Sequence, residues 1–356
     1  MIFNSQINLE LTQESGQTSQ SPWKKIDSSY CDMIYVNNMP VLIKAFQEDI
    51  NSLNIDYEFL LSSNNYSKSY DNSKSKNDSK SRDNSKSKND FKSHDNSKSY
   101  DDIDYSGIDE RIEKEVAKIF DLNFDINKFY QYLATDDKLE GSIDFCRGLR
   151  LFLAKDPFEC MVSSIASANN SIARWRKSIT KIREKWGNPF EFPSGTYYSF
   201  PSPGLLMSVY EDDFEEYEAC NRAIEIECCR KNLKACGVGY RAPYMKKTSE
   251  LLALENDLVD IPNMKYEEAF ESVLRLPGVG AKVADCILLY GYGFREAFPS
   301  DVWIKRIVSY LYFEGKDISV EKVREFGMEK FGDYAGYVQL YLFHYARKSG
   351  LMNKLK

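Results

Sequence analysis

The sequence predicts an α+β fold: a small N-terminal antiparallel β-sheet domain with a disordered low-complexity insertion, followed by a mostly α-helical body. Three observations predict it. Short runs rich in β-branched and aromatic residues precede residue 62, a polar repeat of 12 residues follows, and helical periodicity prevails from there to the end. The domain limits that result are 1–130 for the sheet domain, with 62–104 as its insertion, and 131–356 for the helical domain.

Met33-Ile-Tyr-Val36, Pro40–Phe46 and Ile55–Leu61 read as the strands, their apolar residues alternating or bunched between turn-forming positions. The insertion repeats itself: Asp71–Arg82 recurs as Asp83–His94 and in part from Asp95, almost without apolar residues. Solenoid repeats need periods above about 20 residues and a hydrophobic face to stack. This one cannot bury enough surface to offset its ordering entropy, and a loop of its length closes at little extra cost, so it interrupts the domain without unfolding it.

Asp156-Pro157-Phe158-Glu159 opens a helix, with an N-cap aspartate, proline at the first position and glutamate at the third. That helix runs through Met161–Ala166 and ends near Asn169-Asn-Ser-Ile-Ala-Arg174. Further on, Leu276-Pro-Gly-Val-Gly280 separates two helical runs. The tight turn leaves backbone N–H groups bare at the start of the second helix, where a phosphate can sit. Lys282 lies in the first turn of that helix. The positive end of the helix dipole disfavours an ammonium there, which makes Lys282 a candidate amine nucleophile. Asp301 then precedes the amphipathic run Val302–Leu311. An amine and a carboxylate at a phosphate-binding turn suit reactions that pass through a cationic sugar and a Schiff base.

Composition sets outer bounds. No apolar run among the 356 residues approaches the roughly 20 of a membrane span, and the N-terminus lacks the charged and apolar regions of a secretion signal, so an intracellular protein is expected. The eight cysteines have no C-x-x-C spacing and there are two histidines, which indicates neither a zinc site nor a disulfide framework. The net charge of −7 is unevenly spread. Glu211–Glu227 is strongly acidic, whereas Arg174–Lys185 carries Arg174, Arg176, Lys177, Lys181, Arg183 and Lys185 against Glu184, and Arg241, Lys246 and Lys247 form a second basic cluster. Local field rather than total charge governs phosphate binding.

Leu276-Pro-Gly-Val-Gly-Ala-Lys282-Val-Ala-Asp-Cys286, with Pro299-Ser-Asp301-Val302 downstream, resembles the helix-hairpin-helix glycosylase superfamily, and within it the 8-oxoguanine DNA glycosylase/AP lyases of the eukaryotic type. The resemblance implies a twisted N-terminal sheet and two helical subdomains flanking a DNA cleft. It implies Lys282 as the nucleophile that forms a Schiff base, Asp301 as the stabiliser of developing positive charge, and Gly278, Val279 and Gly280 as the backbone phosphate site. It carries Asn169 and Arg174 over to the cytosine opposite the lesion, Tyr240 to the wedge that fills the gap left by the extruded base, and Arg241, with Arg174, to the cytosine edge. Gln339 and Phe343 in Gly336-x-x-Gln-x-x-x-Phe343 would form the base pocket, the amide reading the base edge and the ring stacking on it. Cys286, one turn on from Lys282, would add to the pocket wall.

The partner implied is double-stranded DNA containing oxidised guanine, with no membrane, and the protein acting as a monomer associated with DNA. No cofactor or metal is implied: relatives with an iron–sulfur cluster place four cysteines after the aspartate, and none follows Cys286 here. Two departures stand out. No Gly-Gln-x-Phe-Arg-Trp-like segment supplies the glycine whose carbonyl senses 8-oxoguanine in the family, and Trp303 stands where eukaryotic members have a histidine near a lesion-flanking phosphate. Two other readings remain open: a monofunctional alkylpurine glycosylase of the same fold, which would have no lysine at position 282, and a non-catalytic DNA-binding module.

Overall fold

A computed structural model describes residues 1–61, 107–209, 211, 232–254 and 260–355. The insertion expected over 62–104 and all but the first residue of the acidic run lie outside the described residues. Five strands form one antiparallel sheet: β1 (Ile2–Phe3), β2 (Lys24–Ile26), β3 (Ser29–Val36), β4 (Met39–Phe46) and β5 (Leu53–Phe59), in the order β1-β5-β4-β3-β2. The three expected strands are β3, β4 and β5. The other two, of two and three residues, are too short for periodicity to reveal.

Side-chain alternation decides what covers each face of the sheet. Tyr30, Ile34 and Val36 of β3, with Met39, Val41, Ile43 and Ala45 of β4, pack with Ile112 and Val116 of the Ile108–Ile119 helix and with Phe120 and Phe152. Cys31, Met33 and Leu42 point the other way and meet Phe192 and Tyr197. Those two belong to a hairpin, β6 (Pro189–Phe192) and β7 (Gly195–Tyr198), inside the body expected to be mostly helical. Strands of four residues carry no legible period, and this hairpin is held by the sheet face it covers.

The helix from Pro157 to Ser167 starts as expected, with the Asp156 carboxylate accepting the Phe158 N–H at 2.9 Å. Burial, with nearby Glu159, pushes the Asp156 carboxyl up to about 6. Glu159 is fully buried and pairs with Arg183 at 2.5 Å, and Arg183 also pairs with Asp32 of β3 at 3.0 Å. This corrects the basic run of 174–185. Arg183 faces inward and ties the Ile172–Trp186 helix to the sheet, while Arg174 and Lys177 stay exposed.

Between the Leu9–Glu14 helix and β2 the chain threads into the body as an irregular polar segment. Ser15, Gln17, Thr18, Ser19, Gln20, Ser21 and Trp23 are all buried. Hydrogen bonds offset much of this burial, while the Ser19 and Ser21 hydroxyls have no partner among the described residues. The Gln17 amide donates to the Arg150 carbonyl and accepts from the Phe152 N–H, each at 2.9 Å, and Gln20 donates to the Leu153 carbonyl at 2.9 Å. The Thr18 and Ser164 hydroxyls meet at 2.9 Å.

The Ala335–Lys348 helix crosses the centre of the body. Its His344 is buried, and burial, with Arg347 and Lys348, pushes the imidazole down to about 4. The unfolded chain binds this proton near the ordinary histidine value and the folded chain does not, so stability is complete above about pH 6.5 and is lost as pH falls toward 4. Asp156 acts in the opposite sense, since its raised carboxyl loses stability as pH climbs from 3.8 through about 6. The comparison with His344→Gln isolates the histidine. Between pH 7 and pH 5 the unmodified chain should lose about 2 kcal/mol relative to the variant in urea unfolding; parallel curves would contradict it.

Candidate active site

The helices Tyr266–Leu274 and Ala281–Ile287 are joined by the turn Leu276–Gly280. Gly278 sits at φ +76°, and a Cβ there would lie 2.5 Å from the ring of Tyr244, so only glycine fits. The Val279 N–H is taken by the Leu276 carbonyl at 3.1 Å, whereas the amides of Gly278 and Gly280 have no acceptor among the described residues. Val279 therefore contributes a buried side chain rather than a free donor, and the bare amides expected in the turn are those of the two glycines. Asp285 anchors the second helix from below. Burial holds its carboxyl above the usual carboxylate range, and Arg324, at 2.7 Å, and the Tyr266 hydroxyl offset this.

Lys282, Cys286, Asp301, Gln339 and Phe343 all line one cavity of about 140 Å³. Lys282 is half-buried, and its Nζ donates to the Ser167 hydroxyl at 3.5 Å. Burial pushes the Cys286 thiol up, and Lys282 and Thr18, within hydrogen-bonding reach of it, partly reverse that. Asp301 is the N-cap of the Val302–Tyr312 helix, one oxygen accepting from the Trp303 and Ile304 N–H groups at 2.9 Å each. No described donor engages the other oxygen, which leaves it available to a charge in the cavity.

The opposite wall comes from the Ala335–Lys348 helix. A Cβ on Gly336 would lie 2.4 Å from Leu289, so the glycine lets this helix close onto the turn that follows the lysine helix. Gln339 is thereby buried beside Cys286, and its amide oxygen has no hydrogen-bond partner. An unmet buried acceptor in a cavity is what a ligand's N–H would satisfy. Phe343 follows one turn on and is half-buried.

The residues expected on the cytosine side do not line the cavity. Asn169 is exposed at φ +49°, Arg174 is exposed, and Tyr240 is 55% exposed. Tyr240 meets Tyr244 edge-on at 6.4 Å, which connects it to the Gly278 turn. Arg241 behaves differently. It is buried and donates to the carbonyls of Ala168 at 2.7 Å and of Asn169 at 3.0 Å, so here it braces the Asn169 turn, and contact with a base edge would require releasing those carbonyls. Trp303 lies beside Asp301 with the Arg306 guanidinium 5.2 Å above its ring.

Sequence reasoning missed one wall of the cavity. Ser15, Gly16, Gln17 and Thr18 line it, so an N-terminal glycine does reach the site although no Gly-Gln-x-Phe-Arg-Trp-like segment was expected. Gly16 has φ +93°, and a Cβ there would lie 2.5 Å from Ile172. The available signal was Gly16-Gln17 followed by Trp23; the intervening Thr-Ser-Gln-Ser-Pro hides the pattern.

Comparisons with known proteins identify the family. Residues 1–161 match the 8-oxoguanine DNA glycosylase N-terminal domain, and residues 162–332 match the HhH-GPD superfamily base excision DNA repair protein. A probable N-glycosylase/DNA lyase of Methanothermobacter thermautotrophicus is 39% identical over 350 residues, covering 98% of this chain and 96% of its own. The 8-oxoguanine glycosylase/lyase of Clostridium acetobutylicum, solved with double-stranded DNA containing cytosine opposite 8-oxoguanine, superposes with a TM-score of 0.68 at 28% identity, covering 97% and 93% of the two chains. MBOgg1, solved with a low-affinity DNA ligand, gives a TM-score of 0.69 at 26% identity over 98% and 96%. With both of its halves matched and a relative aligned along nearly its whole length, the chain belongs to the helix-hairpin-helix base-excision repair superfamily, in its 8-oxoguanine DNA glycosylase/lyase family.

Proposed function

We propose that the chain excises 8-oxoguanine, opposite cytosine, from duplex DNA and then nicks the strand. The observation that carries this reading is a half-buried amine, Lys282, sharing one cavity with a carboxylate, an unpartnered amide oxygen and an aromatic ring. The Lys282 nitrogen attacks the anomeric carbon while the bond to the base breaks and the base leaves with the electron pair and takes up a proton. Asp301 stabilises the positive charge that develops on the sugar. Ring opening gives a Schiff base, whose β-elimination expels the 3′ phosphate and nicks the strand. The Gly278 and Gly280 amides hold a backbone phosphate, Arg174 and Asn169 face the opposite cytosine, and Tyr240 fills the gap left by the extruded nucleotide. The protein acts as a monomer on DNA inside the cell, with its sheet and helical domains meeting near residue 130.

Gly16 takes the place of the family's lesion-sensing glycine in this reading, its carbonyl meeting the extra N–H of 8-oxoguanine. Gly16→Ala would force a Cβ against Ile172 at a backbone angle that disfavours side chains. Excision of 8-oxoguanine should fall on the order of 10-fold or more while nicking of a preformed abasic site is retained. Equal loss of both would remove Gly16 from this role.

Borohydride trapping tests the whole scheme. Duplexes carrying 8-oxoguanine opposite each of the four bases are incubated with the protein and reduced. A covalent protein–DNA band is expected, strongest opposite cytosine. Base release without a band would favour a monofunctional glycosylase, and binding without release would favour a non-catalytic module.

A further inference from the structure

We propose that Arg347 is a positioning residue that fastens the two walls of the base pocket to each other and so sets selectivity for the lesion. The inference rests on the glycosylase reading above. One wall is the Ser15-Gly16 turn and the other is Phe343, and both line the cavity. Arg347 follows Phe343 by one helical turn. Its guanidinium lies 5.6 Å from the centre of the Phe343 ring and donates to the Ser15 carbonyl at 3.4 Å. A single side chain therefore touches the ring expected to stack on the base and the residue next to the carbonyl expected to sense it.

A second arginine reinforces the grip. Arg176, on the Ile172–Trp186 helix, donates to the Gln13 carbonyl at 2.9 Å. Gln13 and Ser15 lie at the C-terminal end of the Leu9–Glu14 helix, where carbonyls lack intrahelical partners and the helix dipole is negative. Two guanidiniums on those carbonyls cap the helix favourably. The arrangement has an electrostatic cost. Burial lowers Arg176, an effect that Glu14 opposes and the like charge of Arg347 assists. Neither arginine makes an ion pair with a carboxylate among the described residues. If the helix end were only being stabilised, one cation would serve. Arg347 also reaches the aromatic wall, and this second contact makes its position specific to the pocket.

The physical consequence is a fixed spacing between the Gly16 carbonyl and the Phe343 ring. Gly16 has no side chain to hold it, and its conformation is one that glycine enters and leaves readily. Without the guanidinium, the turn and the ring can drift apart, and the pocket loses the gap that suits one planar base. Lys282 and Asp301 stand on other elements, and among the described residues no hydrogen bond or ion pair joins either to Arg347, so the chemistry on the sugar should be unaffected.

The test uses the full-length protein and three duplexes in single-turnover assays: 8-oxoguanine opposite cytosine, undamaged guanine opposite cytosine, and a preformed abasic site. Arg347→Met keeps the length and apolar stem, and Arg347→Lys keeps the charge. We expect R347M to raise the enzyme concentration needed for half-maximal excision of 8-oxoguanine on the order of 10-fold, the loss of one charge-assisted hydrogen bond and one cation–π contact. Selectivity over guanine should fall in parallel, nicking at the abasic site should stay within about 2-fold of the unmodified protein, and R347K should recover part of the loss. A thermal melt of each variant separates pocket effects from unfolding. An R347M protein equal to the unmodified one on all three duplexes, or one that loses excision and nicking together, overturns the inference. Unmodified protein inactive on both the lesion and the abasic duplex overturns the glycosylase reading and this inference with it.

Discussion

Lys282→Gln is expected to abolish base release, strand nicking and the borohydride-trapped band while leaving affinity for lesion DNA within a few-fold. The expected fall in single-turnover rate exceeds about 10³-fold, because removing a nucleophile leaves only binding and electrostatic contributions. Glutamine is the informative replacement. It keeps most of the side-chain length and a donor for the Ser167 hydroxyl, now 3.5 Å from the amine, so the packing of the first turn should survive. DNA affinity should survive as well, because the unpaired amides of Gly278 and Gly280 belong to the backbone and are untouched by the change. Gel shift on a lesion duplex and trapping on the same duplex separate the two properties. A variant that still releases the base would show that Lys282 is a phosphate contact and that another group attacks the sugar.

Asp301→Asn should slow excision by about 10²- to 10³-fold, the usual cost of removing one charge-stabilising group from an active site. Its particular value is that asparagine caps helices about as well as aspartate. The Trp303 and Ile304 N–H groups would still find a side-chain oxygen at the start of the Val302–Tyr312 helix, so stability should change by less than about 0.5 kcal/mol. Asp301→Ala removes the cap together with the charge and should cost about 1 kcal/mol in addition. Thermal melting alongside single-turnover kinetics tells the two roles apart. If Asp301→Asn excises at nearly the unmodified rate while Asp301→Ala is both slower and less stable, the carboxylate is a structural cap first.

Much of the site was legible because its signals are local. Gly278 announces a turn position that only glycine tolerates, as its φ of +76° and the clash of a Cβ there with Tyr244 show, whereas Gly280 has extended backbone and open space around it. Gln339 and Phe343 share a helix face by spacing alone, and both line the cavity. Strands β3 to β5 follow from alternation, and the opposite faces of β3 and β4 pack against different partners as alternation requires. What escaped notice depends on distant contacts. Arg183 looks like part of a basic surface until Asp32 and Glu159, 151 and 24 residues away, are seen around it. Arg241 looks like a free base reader until the Ala168 and Asn169 carbonyls are found to hold it. Nothing in the composition of segment 15–23 says that Arg150, Phe152 and Leu153 will take up the side-chain amides of Gln17 and Gln20.

Composition and pattern alone specified the α+β order, the glycine turn, and an amine with a carboxylate close behind it, since each arises from propensities and spacings acting over a few residues. Folding settled the rest: that Gly16 closes the pocket, that Arg183 and Arg241 turn inward, and that Arg347 spans from Phe343 to Ser15. The reason is energetic. A charge or polar group moves out of water only when partners meet it, and those partners are brought near by the burial of apolar surface across the whole chain, which no short stretch of sequence reports.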